Sequence, residues 1–318
     1  MATPSTADDP LHRHTDDALA RPLPAPLLGA RAEVLAAVRD LRTIPDGVLT
    51  SPWRWKGDSE EELRYGFYRI NEMFEHAALD AGEANRAAGL DRGRAAAIAG
   101  ATTAARWDLQ GLLIPLADAT WDADPGGGEW TIRQTLGHVI AGQRAYAAAG
   151  AWWQERGYLP DDPELPKRAP ESIFDELPSE EAEAEGPPAE VRDRLDDALD
   201  RATERLAGLP AERLAYGARW SGFAIDVGFR MGRWSSHIRE HTIQVEKTLV
   251  MLGLEPSEND RLVRLVLASW GRAEAVVYGA AAAEADDAVR AIASAASAAR
   301  VSAAEMAELA ELAATTRG

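Results

Sequence analysis

Hydrophobic residues recur at intervals of three and four along most of the chain, and this period predicts an all-α fold. Four long helices are predicted in a row, over residues 94–119, 131–156, 188–208 and 231–252. The connections between them are short, long and medium in turn, which is typical of a four-helix bundle with one long crossover. Extra helices are predicted on the N-terminal and C-terminal sides of this bundle.

The same pattern divides the chain into four parts. Residues 1–26 hold prolines, small residues and charges, and they are predicted to form a disordered tail. An N-terminal helical extension is expected over 27–90, the bundle over 94–254 and C-terminal helices over 255–318. Within the bundle, the acidic and proline-rich stretch 157–190 is predicted to be a partly disordered crossover loop. The N-terminal helices are expected either to pack on the bundle or to form the contact of a homodimer.

Composition narrows the possible functions. The net charge is −18 and the chain contains no cysteine. Nucleic acid and anionic membrane surfaces both need a basic face, so we expect neither as a partner. Without cysteine there is no disulfide, no zinc–thiolate site and no cysteine nucleophile, so thiol chemistry would require a thiol on a separate molecule. The sequence has no apolar run long enough to predict a membrane span, and the first residues do not resemble a secretory signal. The cytoplasm is therefore the expected location.

Three histidines on two of the predicted helices are candidate metal ligands. His237 and His241 lie four residues apart, so both project to the same side of their helix. Two neutral imidazoles one turn apart can share a metal ion. His138 lies beside the hydrophobic stripe of its own helix, among polar and small residues, where it could form a pocket wall. Taken alone, His138 is better explained as a core histidine bonded to a neighbouring carbonyl.

Two segments carry a resemblance to a known family. The sequence EWTIRQTLGHVIAGQRAY, which contains His138, and the later HIREHTIQVEKTLVMLG, which begins at His237, together resemble the DinB/YfiT-like superfamily. That superfamily includes the mycothiol-dependent maleylpyruvate isomerases and related thiol S-transferases. The resemblance covers roughly 95–254. It implies a DinB-like four-helix bundle in which His138, His237 and His241 bind a divalent metal, with zinc first and nickel or iron(II) as alternatives.

The resemblance also implies a reaction. In the isomerases of this family, the open position of the metal receives a thiolate from an exogenous low-molecular-weight thiol, and the substrate is a small electrophile. Glu240, which is adjacent to the histidine pair, is a candidate catalytic base or a residue supporting the ligands, with a solvated helix position as the alternative. Trp130, Trp234 and Gln244 are candidates for lining the pocket that binds the cosubstrate. A plain core position remains an alternative for Trp130 and Trp234.

Two other functions stay open. The bundle could bind metal in a structural or regulatory role without catalysis, because a shared fold does not transfer function. HIREH also matches the H-x-x-E-H signature of a zinc protease, which would need Glu308 or Glu311 as its third ligand. That interpretation leaves His138 without a role. A separate pair, Glu72 and His76, is interpreted as a surface or interhelix hydrogen bond.

Overall fold

The fold is built almost entirely from helices, as the hydrophobic period predicts. The computed structural model describes residues 9–55, 59–90, 92–279 and 286–317. In chain order the helices are α1 (Pro10–His14), α2 (Ala25–Leu41), α3 (Leu63–Ala87), α4 (Gly93–Leu113), α5 (Asp118–Trp121), α6 (Ile132–Arg156), α7 (Glu180–Ala184), α8 (Pro188–Leu206), α9 (Ala211–Leu214), α10 (Val227–Met251), α11 (Glu258–Ala275) and α12 (Asp286–Arg317). No helix in these described ranges is both long enough and apolar enough to cross a membrane.

The predicted four-helix bundle is present as α4, α6, α8 and α10, with the long crossover between α6 and α8. The hydrophobic stripes of the four helices meet in one buried core, which includes Leu109, Leu136, Val139, Leu195, Ile238 and Val245. Helix α4 ends at Leu113, earlier than predicted, because Pro115 cannot continue a helix. Helix α10 starts at Val227, earlier than predicted, because the side chain of Asp226 accepts a hydrogen bond from the Phe229 N–H and caps the helix.

Helices from the two ends of the chain pack together as a second bundle. Helices α2 and α3 come from the predicted N-terminal extension, and α11 and α12 come from the C-terminal part. They share a hydrophobic core that includes Leu41, Phe67, Phe74, Val266, Trp270, Ile292 and Met306. Helix α11 also packs along α4, so it joins the second bundle to the first. The N-terminal helices are predicted either to pack on the bundle or to form a homodimer contact; in the structure, α2 and α3 pack mainly against α11 and α12.

A buried network of charged side chains lies where the two bundles meet. Glu274 on α11 is fully buried and accepts hydrogen bonds from Arg31 on α2, at 2.5 Å, and from Arg106 on α4, at 2.8 Å. Both arginines also reach Asp200 on α8, with Arg106 Nη1 2.7 Å and Arg31 Nη2 2.9 Å from its Oδ1. Trp107 donates to the second Glu274 oxygen at 2.9 Å. Burial alone would raise the pKa of Glu274, but the two arginines outweigh it and lower that pKa to about 2.

The segments predicted to be disordered have defined positions in the parts of the chain that the structure describes. Residues 1–8 lie outside those parts, but from residue 9 onward the segment packs against α6 and α8. Leu11 is buried in the core, and the backbone oxygen of His14 accepts a hydrogen bond from Gln154 Nε2 at 2.6 Å. A few apolar residues and backbone hydrogen bonds are therefore sufficient to order this proline-rich segment.

The crossover is also ordered. Its helix α7 carries Glu183, which is buried and accepts a hydrogen bond from Arg144 Nε of α6 at 2.5 Å. Arg133 of α6 donates to the backbone oxygens of Ala184 and Gly186 at 2.8 and 2.7 Å. The acidic composition that suggested disorder instead supplies partners for arginines on the bundle.

The described residues also form two small hairpins that the hydrophobic period does not predict. Strand β1 (Pro52–Trp55) pairs with β2 (Ser59–Glu62), and β3 (Gly217–Trp220) pairs with β4 (Phe223–Asp226). The turn of the second hairpin has positive φ at Ser221 and Gly222, as type I′ turns require. Strands of four residues are too short for their alternating period to stand out from a loop. The second hairpin leads directly into α10.

Candidate metal centre

Two well-capped helices carry the three candidate ligands. Thr131 and Gln134 form a reciprocal capping box at the start of α6, and His138 follows on the second turn. His237 and His241 lie in the middle of α10, which packs directly against α6. The ligands are therefore placed by rigid helices and not by loops, which keeps their separations fixed.

The three imidazoles point at one another. Nε2 of His237 lies 3.3 Å from Nε2 of His138 and 3.1 Å from Nε2 of His241. A tetrahedral ion with metal–nitrogen bonds of about 2.0–2.1 Å separates its ligand atoms by roughly 3.3 Å. In the described part of the chain these three histidines form a group whose ligand atoms all lie within 4.8 Å of one another. The geometry therefore suits a divalent metal bound by three nitrogens.

Space for His237 is made by a glycine on the facing helix. A Cβ atom at Gly142 would lie only 2.7 Å from Cε1 of His237. The His237 ring is buried, with 3% of the residue exposed, and its pKa is lowered to about 3 by burial and by the neighbouring His241 and His138. A neutral imidazole is the form that binds metal, so the pocket favours the ligand state at neutral pH.

The other two histidines each have an oxygen partner at the remaining ring nitrogen. Nδ1 of His138 is 2.8 Å from Oε1 of Glu180, and Nδ1 of His241 is 2.7 Å from Oε1 of Gln244. An acceptor at Nδ1 favours the tautomer in which Nε2 keeps its lone pair. Both Nε2 atoms are thereby directed, unprotonated, toward His237. This is the usual arrangement of partners around metal-binding histidines.

Comparison with known proteins identifies the region that holds this group. Residues 101–245 match the model of the DinB superfamily. This part of the chain belongs to the DinB superfamily. No curated protein and no solved structure matches the chain. The DinB region includes all three histidines and runs from within α4 to within α10.

A cleft lined by two residues that contact His138 opens at one end of the DinB bundle. Its volume is about 400 Å³, and it lies between the start of α6 and helix α7. Trp130 and Glu180, which line it, both contact His138: the Trp130 ring is 5.1 Å from the His138 ring. Trp130 is 39% exposed, consistent with the prediction that it lines a pocket. A small molecule in this cleft would approach the metal centre from the His138 side.

Other predicted pocket residues have different positions. Trp234 is buried in the core with Met231 and Trp153, the plain core position that the sequence also allows. Only its backbone oxygen approaches the site, where it accepts a hydrogen bond from Gln143 at 3.0 Å. Gln244 contacts the candidate ligand His241 through its side-chain oxygen.

Glu240 forms an ion pair with Arg233. Both of its oxygens accept hydrogen bonds from Arg233, at 2.7 and 3.0 Å, and the side chain is largely exposed. Arg233 lowers the pKa of Glu240, which makes this carboxylate a weaker base. The structure therefore gives no support to the expectation that Glu240 acts as a base. Its place beside the histidines is taken by Glu180, which the sequence did not single out.

The protease interpretation lacks its third ligand. Glu308 and Glu311 lie on α12, which packs against α2 and α3 in the second bundle. In the described ranges, no carboxylate belongs to the group formed by the three histidines. Glu72, the other carboxylate considered near a histidine, forms an ion pair with Arg69 at 2.9 Å.

Proposed function

We propose that this protein is a divalent-metal-dependent enzyme that uses a low-molecular-weight thiol to isomerise, or to transfer sulfur to, a small electrophile. The observation that carries this proposal is the convergence of three Nε2 atoms, at 3.1 and 3.3 Å, next to an open cleft. His138, His237 and His241 would hold the metal. Three nitrogen donors suit zinc, nickel or iron(II), and zinc is the first choice.

A divalent metal bound here would lower the pKa of a thiol and so supply a nucleophile at neutral pH. The chain's own residues contribute position and exclusion of water. Glu180 and Gln244 fix the rings of His138 and His241, while Trp130 and α7 shape the cleft through which a small molecule would enter. Since the chain has no cysteine, the thiol must come from a cosubstrate.

A metal-binding protein without catalysis is the second candidate. It is favoured by the engagement of both nearby carboxylates: Glu240 is bound by Arg233, and Glu180 is bound by His138. Neither is free to move a proton in this arrangement. Turnover would then depend on groups supplied by the substrates, and a purely structural or regulatory role would need none.

The test is an activity screen with a matched ligand variant. Protein purified without a histidine tag and loaded with zinc is assayed with mycothiol, bacillithiol, glutathione and ergothioneine, each against 1-chloro-2,4-dinitrobenzene and a panel of small unsaturated electrophiles. We expect conversion with at least one thiol that is lost on chelation and in His237→Ala. Stoichiometric zinc without turnover of any pair would instead support the non-catalytic role.

A further inference from the structure

Two arginines lie on the same face of α10 as the metal-binding histidines. Arg230 precedes His237 by seven residues and Arg233 precedes it by four, so both are on the turns that lead to the ligands. Tyr146 of α6 lies between them and the metal centre. Its ring is 5.1 Å from the His237 ring and 5.1 Å from the guanidinium carbon of Arg230. One aromatic ring therefore separates Arg230 from a candidate ligand.

The two arginines differ in their partners. Arg233 is neutralised by Glu240 through two hydrogen bonds. Arg230 has no carboxylate partner among the described residues, and its Nε and Nη1 atoms are buried without a hydrogen-bond acceptor. Its guanidinium lies over Tyr146 and, at 6.0 Å, over Trp220. Contacts with aromatic faces do not satisfy N–H donors that point past the rings.

Partial burial without a partner disfavours the charged form of a guanidinium, and this effect lowers its pKa. Burial lowers the pKa of Arg230; Tyr146 opposes that effect and the charge of Arg233 adds to it. Buried donors normally have acceptors, and an exception calls for an explanation. In a chain with an excess of acidic side chains, the missing partner is not one of its own described residues. A bound anion would supply it.

The charge and shape of the site indicate which anion. After the pairing of Arg233 with Glu240, one positive charge remains uncompensated, which matches a carboxylate better than a divalent phosphate. The planar fork of a guanidinium donates two parallel hydrogen bonds, one to each carboxylate oxygen. The aromatic faces of Tyr146 and Trp220 would pack against the carbon skeleton of the same molecule.

We propose that Arg230, flanked by Tyr146 and Trp220, binds a carboxylate group of a small molecule that reacts at the three-histidine centre. The reaction at the three-histidine centre rests on the proposed function, whereas the binding of a carboxylate by Arg230 does not. The carboxylate could belong to the electrophile or to the thiol cosubstrate, since both classes of molecule can carry one. The two sources share the same recognition chemistry, and two probes separate them.

The experiment measures binding of succinate, of S-methylglutathione and of inorganic phosphate by isothermal titration calorimetry, with the full chain both zinc-loaded and stripped of metal. The variants are Arg230→Gln and, as matched control, Arg239→Gln, which removes an exposed arginine from the same helix. A hydrogen-bonded charge pair contributes about 1.5–3 kcal/mol, so Arg230→Gln should weaken binding about 10-fold to 100-fold. Arg239→Gln should bind within about twofold of the wild type, because it loses only an exposed charge.

Several outcomes decide the matter. Tighter Arg230-dependent binding of succinate assigns the carboxylate to the electrophile, and tighter binding of S-methylglutathione assigns it to the thiol. Equal binding by the wild type and Arg230→Gln would overturn the site, as would Arg230-dependent binding of inorganic phosphate in preference to both probes. Zinc content measured on the same samples separates the two proposals: a chain that binds no zinc but binds succinate through Arg230 retains this site and loses the metal-dependent function.

Discussion

Glu180 lies 2.8 Å from Nδ1 of His138, although the two residues belong to different parts of the chain, the crossover and the bundle. Helix α7 can approach α6 this closely because residue 137 is glycine: a Cβ there would be 2.3 Å from the backbone oxygen of Glu180. The crossover is therefore part of the candidate metal centre and not only a connection. It fixes the orientation of one ligand from outside the bundle.

Removing the Glu180 carboxylate should weaken metal binding without unfolding the protein. We expect Glu180→Ala to lower zinc affinity about 10-fold to 100-fold, because partners of ligand histidines orient the ring and increase its basicity. The zinc affinity of Glu180→Gln should lie between those of Glu180→Ala and the wild type, since an amide oxygen can still accept a hydrogen bond from Nδ1. Affinity is measured by competition with a chromogenic chelator. Glu181→Gln is the control, as it removes a neighbouring charge from the same helix; an equal loss in that variant would mean that only the acidity of α7 matters.

Loss of a ligand histidine should lower zinc affinity more than loss of the Glu180 carboxylate, which only orients a ligand. We expect His237→Ala to reduce zinc affinity by more than about 100-fold, because the central Nε2 atom is the one close to both others. Metal content is measured by elemental analysis after dialysis. His76→Ala, an exposed histidine on α3, should retain full occupancy. Unchanged zinc in His237→Ala would show that the metal binds elsewhere.

A single methyl group added at Gly142 should weaken zinc binding while the protein stays folded. Gly142→Ala places a Cβ 2.7 Å from His237 Cε1, which forces the ring away from its position, so we expect a strong loss of zinc affinity. Gly150→Ala lies on the same helix, where the nearest atom to the new Cβ is 3.8 Å away. That control should keep its zinc affinity and gain roughly 0.5–1 kcal/mol in free energy of unfolding from the better helix former. Equal zinc affinity in the two variants would contradict the contact.

The buried network between the bundles should dominate the response to acid. Because the pKa of Glu274 is lowered to about 2 in the folded chain, its contribution to stability is complete above the unfolded value of about 4.5. That contribution is lost as the pH falls from about 4.5 through 2. Urea unfolding at pH 7, 4.5 and 2.5 should show this loss in the wild type and a much smaller one in Glu274→Gln.

The same variant should be destabilised at pH 7. Glu274→Gln leaves Arg31 and Arg106 short of a buried negative charge, and breaking such a pair costs about 3–5 kcal/mol. Glu75→Gln removes a carboxylate from an exposed pair with Arg272 and should cost no more than about 1 kcal/mol. If both variants lose the same amount, the network does not hold the two bundles together.

The features that follow from periodicity were predictable from the sequence. The stripe that contains Leu136 and Val139 fixes which face of α6 is buried, and this places His138 at the edge of the core. The spacing of His237 and His241 places both rings on one side of α10. Helical period and ligand spacing are local properties, so they survive without knowledge of the tertiary fold.

The features that depend on distant parts of the chain were not predictable. Glu180 is one of many acidic residues in a stretch without period, and no local signal marks it as the partner of His138. Trp234 is hydrophobic and close to the ligands in sequence, but helical rotation directs it into the core. Gly137 and Gly142 flank the candidate ligand in sequence, yet their meaning as points of close approach appears only when α7 and His237 are in place.

The union of α2 and α3 with α11 and α12 makes the DinB region an insertion within another helical domain, whose first half is synthesised before it and whose second half is synthesised after it. The half made first lacks its partners in this core until α11 and α12 have been synthesised. A fragment cut at the borders of the DinB match would expose the side of α4 that carries Arg106 and Trp107. Removing either α2 and α3 or α11 and α12 would leave the other pair of helices without its packing partners. The segment that carries the candidate metal centre is consequently not a portable module in this protein.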